Sequence, residues 1–394
     1  MKERPEISSR ARGIRPTLIR SLRAGMKEST IDFGLGQADL PVSEEIRGAL
    51  RQELEEVYRA PYTANAGMRE AREAVAGHVG VEPGEVMLTC GVQEGLAVAI
   101  FGLCEPGSEV LVPNPGFPAY ANLVRAAGAI PVEYDLRPPE EGDRRWRLSP
   151  AEILKKVRSA TAAVVLNNPS NPTGSLFERS ALQEVLRGLA EQGVAWISDE
   201  IYEDYVWSGS FLPARRVAPD FPGLTLSGLS KSHHLMGWRL GWMVGPEELI
   251  GALTPLHQHL VTCAPLPAQQ AAVVALGNHQ EAQKRNRAIF KERRQLALDT
   301  LGGLGVIEAC GAAGAFYLFL DVRPWLQEFG STVEMARQLL SEENVMVIPG
   351  EGFGDRGLGH LRLAYTIGGQ ELMDGLDRVR GFLLRHRSKE MWDD

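Results

Sequence analysis

The chain has 394 residues, more than one hydrophobic core usually supports, so two domains, or one large domain with an annex, are expected. A composition of 44% hydrophobic and 23% charged residues is that of an ordinary folded protein and excludes disordered and fibrous designs. The net charge of −8 at pH 7 argues against a surface for nucleic acid or anionic membrane, and small-molecule chemistry fits better.

In chain order, the start is Met1-Lys2-Glu3-Arg4-Pro5-Glu6, charged and followed by no apolar stretch. No apolar run elsewhere is long enough to cross a bilayer, so neither export nor membrane insertion is expected. Cys90, Cys104, Cys263 and Cys310 show no C-x-x-C pair or metal-ligand rhythm, which fits a reducing, cytoplasmic compartment. The first forty or so residues have little periodicity and read as an arm and a segment packing against a later domain. From about residue 84 to 245, short apolar runs alternate with longer amphipathic ones, the α/β rhythm. The expected strands are Glu85–Cys90, Glu109–Pro113, Ile130–Leu136, Ala162–Asn167, Val194–Ser198, Leu224–Ser227 and Leu240–Val244. Most are nearly continuous in apolar residues, as for strands covered on both faces. Val92, Leu96, Ala99, Ile100 and Leu103 form one stripe of a helix. After about residue 280 a long charged helix, Glu281–Leu301, precedes short strands at Ala315–Leu320, Val345–Ile348 and His360–Ala364, and a second, α+β domain begins there.

Four segments can carry chemistry. Glu85 to Glu94 runs from a strand through Gly91 into a helix, a turn that aims backbone N–H groups and a helix dipole at one point, where a phosphate can sit; such turns also serve as plain connections. Asn168-Pro169-Ser170-Asn171-Pro172-Thr173-Gly174 follows a buried strand at its carboxyl end, where ligands gather in open α/β sheets; two prolines explain a tight turn, but not two asparagines before them. Asp199, with Tyr202 three residues on, could hold a heterocyclic nitrogen in its protonated form or simply cap a helix. Ser227-Gly228-Leu229-Ser230-Lys231, continuing to Gly237-Trp238-Arg239-Leu240-Gly241, places a lysine in apolar, glycine-punctuated sequence. Burial would lower its pKa, as an imine-forming nucleophile needs, although a structural ion pair is the competing role; Arg239 adds a cation suited to a phosphate.

In order along the chain, these segments resemble the class I/II aminotransferases, the fold type I pyridoxal-phosphate enzymes. The likeness also includes Gly36-Gln37-Ala38-Asp39-Leu40-Pro41, Tyr62 with Asn65-Ala66-Gly67, Pro115-Gly116-Phe117-Pro118-Ala119-Tyr120 and His360-Leu361-Arg362-Leu363-Ala364. It implies an α/β large domain around a mainly parallel seven-stranded sheet, with a small α+β domain made from both chain ends. The corresponding division is an arm and part of the small domain over 1–45, a large cofactor-binding domain over 46–280, and the small domain over 281–394. By the same resemblance Lys231 is the Schiff-base lysine and proton shuttle, and Asp199 the partner of the pyridine nitrogen of pyridoxal 5′-phosphate. Asn171 and Tyr202 correspond to donors to its phenolate oxygen, and Phe117 to the residue stacked on the ring. Val92, Gln93, Ser230 and Arg239 would hold the phosphate. Arg362 would clamp the substrate α-carboxylate, with a backbone N–H of Gly36 beside it. Tyr62 would reach the phosphate in a neighbouring subunit, so a homodimer is implied.

The sequence departs from the family at Ala38, where Pro is usual, at Gly228, where a serine often contacts the phosphate, and at Ala71, where Leu is usual. The adjacent His233 and His234 read as packing or solvated residues, and His257 and His259 cannot share a helix face. Gly350, Gly352 and Gly354 read as a flexible loop near Arg362. The expected reaction moves an amino group between an L-amino acid and a 2-oxo acid by a ping-pong cycle. The same residues would also serve a lyase or synthase eliminating a β- or γ-substituent, while a non-catalytic regulator would need a DNA-binding module for which the short acidic chain leaves no room. No residue stands out as a second carboxylate-binding arginine, which favours a neutral or aromatic substrate, or a broad range, over aspartate.

Overall fold

A computed structural model describes residues 6–14, 16–56, 61–140, 145–221, 223–306 and 312–386. Cys310 lies outside them. The strands are β1 (Ile31–Asp32), β2 (Val86–Thr89), β3 (Glu109–Asn114), β4 (Ile130–Asp135), β5 (Thr161–Asn167), β6 (Ala195–Asp199), β7 (Gly223–Gly228), β8 (Gly241–Val244), β9 (Tyr317–Asp321), β10 (Val345–Met346), β11 (Ile348–Pro349) and β12 (His360–Ala364). Seven of them form one sheet in the order β2-β8-β7-β6-β5-β3-β4, parallel throughout except for β8, which runs against both neighbours. The α/β fold with a mainly parallel seven-stranded sheet is therefore as expected, and each large-sheet strand begins and ends within a residue of its apolar run.

The sheet is buried on both faces, which is why its strands carry no polar alternation. Along β5, Ala163 and Val165 face one core and Val164 and Leu166 the other, following the period of two of a strand. Helix Val92–Leu103 covers the first face with Leu96, Ala99 and Ile100, and helix Arg179–Glu191 covers the second with Leu182, Val185, Leu186 and Leu189. The parallel strands all end at one edge, so Asn114, Asn167, Asp199 and Gly228 mark a common rim.

A three-stranded antiparallel sheet, β11-β12-β9, packs beside this rim, and β1 pairs in parallel with β10. The chain ends are thus tied together: Ile31 sits opposite Val345, and the Ala364 N–H donates to the Phe33 carbonyl at 2.8 Å. The run expected as one strand, Val345–Ile348, divides at Val347, because its first half pairs with β1 and its second with β12. The N-terminal segment is more regular than expected, with helices Ser9–Gly13 and Leu18–Arg23. The expected loop of Gly350, Gly352 and Gly354 is a pair of packed 3₁₀ turns, in which Gly350 faces the Gly357 carbonyl so closely that no Cβ would fit. No helix among the described residues is long and apolar enough to cross a membrane.

Candidate active site

At the rim lies a cavity of about 560 Å³, a size suited to a cofactor with a small substrate. Val92, Gln93, Phe117, Asn171, Asp199, Tyr202, Ser230, Lys231, Arg239 and Arg362 all line it. Residues singled out from widely separated stretches of sequence thus share one space.

Lys231 enters from helix Leu229–Ser232, which begins where β7 ends. The helix is pinned by the Tyr205 hydroxyl, which donates to the Lys231 carbonyl at 2.8 Å, and by the Asn286 amide, which donates to the Ser232 carbonyl at 2.7 Å. Lys231 Nζ donates to the Gly36 carbonyl at 3.0 Å. Burial, together with the guanidinium groups of Arg362 and Arg239, pushes its pKa down to about 8, against the opposing pull of Asp199. The amine is therefore partly neutral near physiological pH, the state in which it can attack a carbonyl carbon.

Asp199 ends β6 and is 4% exposed. Tyr120 donates its hydroxyl to Oδ2 at 2.8 Å and the Ile201 N–H reaches Oδ1 at 3.3 Å. Burial raises the carboxyl pKa to about 6 despite both donors. A buried carboxylate that faces a cavity, with no cation bonded to it among the described residues, is matched to a ligand that brings an N–H⁺, which a protonated pyridine nitrogen does.

Asn171 and Arg362 lie together. Arg362 is 2% exposed; its Nη1 donates to Asn171 Oδ1 at 2.8 Å, and its Nη2 donates to the Gly34 carbonyl. Because a guanidinium only donates, this bond fixes the amide of Asn171 with its NH₂ free to donate elsewhere. The Arg362 Nε is buried and unpartnered among the described residues, a donor left for an incoming anion. The guanidinium is sandwiched by rings, with Tyr317 at 4.5 Å and Phe353 at 4.8 Å from Cζ. Tyr202 shares a 2.8 Å hydrogen bond with the Tyr317 hydroxyl, and burial holds its phenol protonated, well above the ordinary value.

The other end of the cavity is built from backbone. Gly91, at φ 79°, turns β2 into helix Val92–Leu103, whose first N–H groups, those of Val92 and Gln93, have no acceptor within the helix. Arg239, held in the left-handed region at φ 58°, donates to the carbonyls of Met236 at 2.8 Å and Cys90 at 3.4 Å. A Cβ at Gly91 would lie 2.4 Å from Arg239 Nη2, so the guanidinium approaches the turn only because that residue is glycine. A helix N-terminus, a serine hydroxyl and an arginine around one opening suit a phosphate. Pyridoxal 5′-phosphate fits this donor set from ring nitrogen to phosphate. Gly228 has a physical reason as well: a Cβ there would stand 2.8 Å from Gly241 Cα and from the Leu240 carbonyl.

Gly36 adjoins the site through its bond to Lys231, and a Cβ on it would fall 2.6 Å from the Tyr317 hydroxyl. Tyr62 does not line the cavity of its own chain; it stands 84% exposed. His233 and His234 are buried, and His257 donates toward or accepts from Glu94 at 2.9 Å, so all three are packing residues. Sequence reasoning misses Tyr317, Asn167 and Arg20, which also line the cavity, and it includes Tyr120 only as part of a motif, without a role. Asn167 joins the ends of two strands, its Nδ2 donating to the Asp199 carbonyl at 3.0 Å and its Oδ1 accepting from the Asn171 N–H at 2.7 Å. Its position as the last residue of an apolar strand is the available signal.

The family described as aminotransferase class I and II matches residues 28–379. The aspartate/prephenate aminotransferase of Thermus thermophilus is 32% identical, over 89% of this chain and 90% of its own. The aromatic-amino-acid aminotransferase 2 of Thermococcus litoralis is 30% identical, over 96% and 98%. The solved structure of aspartate aminotransferase from Thermus thermophilus with maleate superposes with a TM-score of 0.87 at 30% identity, covering 96% of this chain and all of that one. The cavity, its lysine and its buried acid and arginine thus sit in a chain that belongs to the class I and II aminotransferases, enzymes that move amino groups with pyridoxal 5′-phosphate.

Proposed function

We propose that the aminotransferase reaction of this chain is carried by Lys231, Asp199 and Tyr202, in a ping-pong exchange between an L-amino acid and a 2-oxo acid. The observation that carries this reading is the convergence on one cavity of a lysine with depressed pKa, a buried carboxylate without a cation and a buried arginine with a free donor. The bound cofactor supplies an electrophilic carbon for the amine and a ring that accepts electron density. Lys231 Nζ would hold the cofactor through that carbon, yield it to the incoming amine, and then take and return the substrate Cα proton. Asp199, oriented by Tyr120, keeps the ring nitrogen protonated. Tyr202 and the NH₂ of Asn171 donate to the ring oxygen, and Phe117 covers the ring face. Val92, Gln93, Ser230 and Arg239 bind the phosphate, while Arg362 and the backbone of Gly36 bind and orient the α-carboxylate.

Catalysis by a homodimer belongs to this reading. Tyr62 is exposed beside Leu260 and Val261, also exposed, and the Asn65 amide links the two segments by donating to the Thr262 carbonyl at 2.8 Å. An aromatic and two aliphatic side chains at the surface suit a subunit contact that would bring Tyr62 to the partner's phosphate. The division into a large domain over 46–280 and a small one from 1–45 and 281–394 is supported by the pairing of β1 with β10. Free thiols at Cys90, Cys104 and Cys263 fit a cytoplasmic setting. The test is spectroscopic: an amino acid added to the purified holoenzyme shifts the visible band of the cofactor, and a 2-oxo acid restores it. Release of ammonia without a reversible band change would instead identify an elimination enzyme.

A further inference from the structure

Among the described residues, four cations line the cavity, Lys231, Arg239, Arg362 and Arg20, against one carboxylate, Asp199. This excess of basic over acidic side chains, four against one, stands in a chain whose net charge is −8. Lys231, Arg239 and Arg362 have tasks in the reading above, on which this inference rests. Arg20 has none.

Arg20 lies on helix Leu18–Arg23 of the N-terminal arm. Its neighbours anchor the helix: Ile19 and Leu22 are buried in the core, and Leu18 rests on the packed turn at Gly352, where an added Cβ would meet it at 3.5 Å. Residues about 100° apart on a helix cannot all face inward, and the burial of Ile19 and Leu22 leaves Arg20 at the cavity mouth. Arg23 on the same helix is bound to Asp32 at 2.5 Å, whereas no carboxylate among the described residues pairs with Arg20. The lining residues Ile14, Thr17, Leu35, Asn122, Leu123 and Ala126 carry no charge. A guanidinium held on an anchored helix, in a positively biased cleft with no acid of its own, is matched to an anionic group on the ligand.

We propose that Arg20 binds the side-chain carboxylate of a dicarboxylic substrate, so that the cavity accepts an acidic amino acid or its 2-oxo acid through two arginines, Arg362 for one carboxylate and Arg20 for the other. Arg20 is thus a specificity residue supplied by the arm.

The test compares Arg20→Gln and Arg20→Lys with the wild-type holoenzyme on aspartate, glutamate, alanine and leucine, together with calorimetric binding of succinate and butyrate. In Arg20→Gln, kcat/KM for the two acidic amino acids falls about 10- to 100-fold, mainly through KM, while alanine and leucine change less than about threefold. Succinate loses its advantage over butyrate by a similar factor, and Arg20→Lys recovers part of it. Equal losses on all four amino acids would show that Arg20 only holds the arm in place, and would overturn the proposal. So would a wild-type enzyme that works on alanine and leucine but gains nothing from a second carboxylate, although the aminotransferase reading would then stand. A holoenzyme that exchanges amino groups with none of them would remove both.

Discussion

The wall of the cavity carried by the seven-stranded sheet and the wall carried by the chain ends reach the same space by different routes. On the sheet side, most of the proposed site residues lie at or within a few residues of the carboxyl end of a strand: Gly91 after β2, Asn171 in the turn after β5, Asp199 on β6, Lys231 after β7. The sheet positions them through continuous local sequence, and the proposed anion site there is made of backbone N–H groups, the Ser230 hydroxyl and one exposed arginine. On the other side, Arg20, Gly34, Gly36, Tyr317 and Arg362 come from segments hundreds of residues apart, and only the pairing of β1 with β10 and of β12 with β9 brings them together. In the proposed reaction the sheet wall addresses the cofactor. The other wall addresses what varies, the substrate, under the same proposal.

This contrast predicts how substitutions should divide. The largest effect is expected from Lys231→Ala, which removes the amine proposed to hold the cofactor and carry the proton; turnover should drop by a factor on the order of 10⁴ or more, with circular dichroism unchanged. Wild-type rates in that variant would end the assignment. Next comes Arg362→Lys, which keeps the charge but loses the planar fork, its bond to Asn171 and its place between Tyr317 and Phe353; kcat/KM should fall on the order of 10²-fold while cofactor affinity holds. If cofactor affinity collapsed as well, the two walls would not be separable. Gly91→Ala should behave in the opposite manner, weakening cofactor binding about tenfold or more in equilibrium titration, because a Cβ there crowds Arg239 in a backbone conformation that favours glycine.

The smallest expected effect is on stability against pH in the cofactor-free protein. Burial raises Asp199 to about 6, Glu203 to about 7 and Glu200 to about 8. Their folded pKa values exceed the unfolded ones, so the stability linked to their protonation is complete below the ordinary carboxyl range and is lost as pH rises through about 6 to 8. The melting temperature of the apoprotein should therefore decline by a few degrees across that window, and Glu200→Gln should flatten the slope. An unchanged slope would mean that these carboxyls ionise without cost. On the acid side the buried His78, His233 and His234, each pushed down to about 4 mainly by burial, lose stability as pH falls from the usual histidine range.

The same contrast separates what the amino-acid sequence reveals by itself from what it hides. The large-sheet strands are legible because burial on both faces leaves unbroken apolar runs, and their functional residues because each lies in a short motif at a strand end. The helices Ser9–Gly13 and Leu18–Arg23 are not, since five or six residues give too short a window for a period of 3.6 and tertiary contacts hold them in place. Arg20 is invisible for that reason. Tyr317 escapes because its signal, an aromatic residue in an apolar strand, is also that of an ordinary core residue; only the hydroxyl contact with Tyr202 distinguishes it. The break at Val347 depends on two different pairing partners, which no local pattern encodes.

The carbonyls of Gly34 and Gly36 receive donors from Arg362 and Lys231, the two cations a substrate would approach. The main chain after β1 therefore already engages one donor of each cation, and the Arg362 Nε is the donor left for an acid to meet.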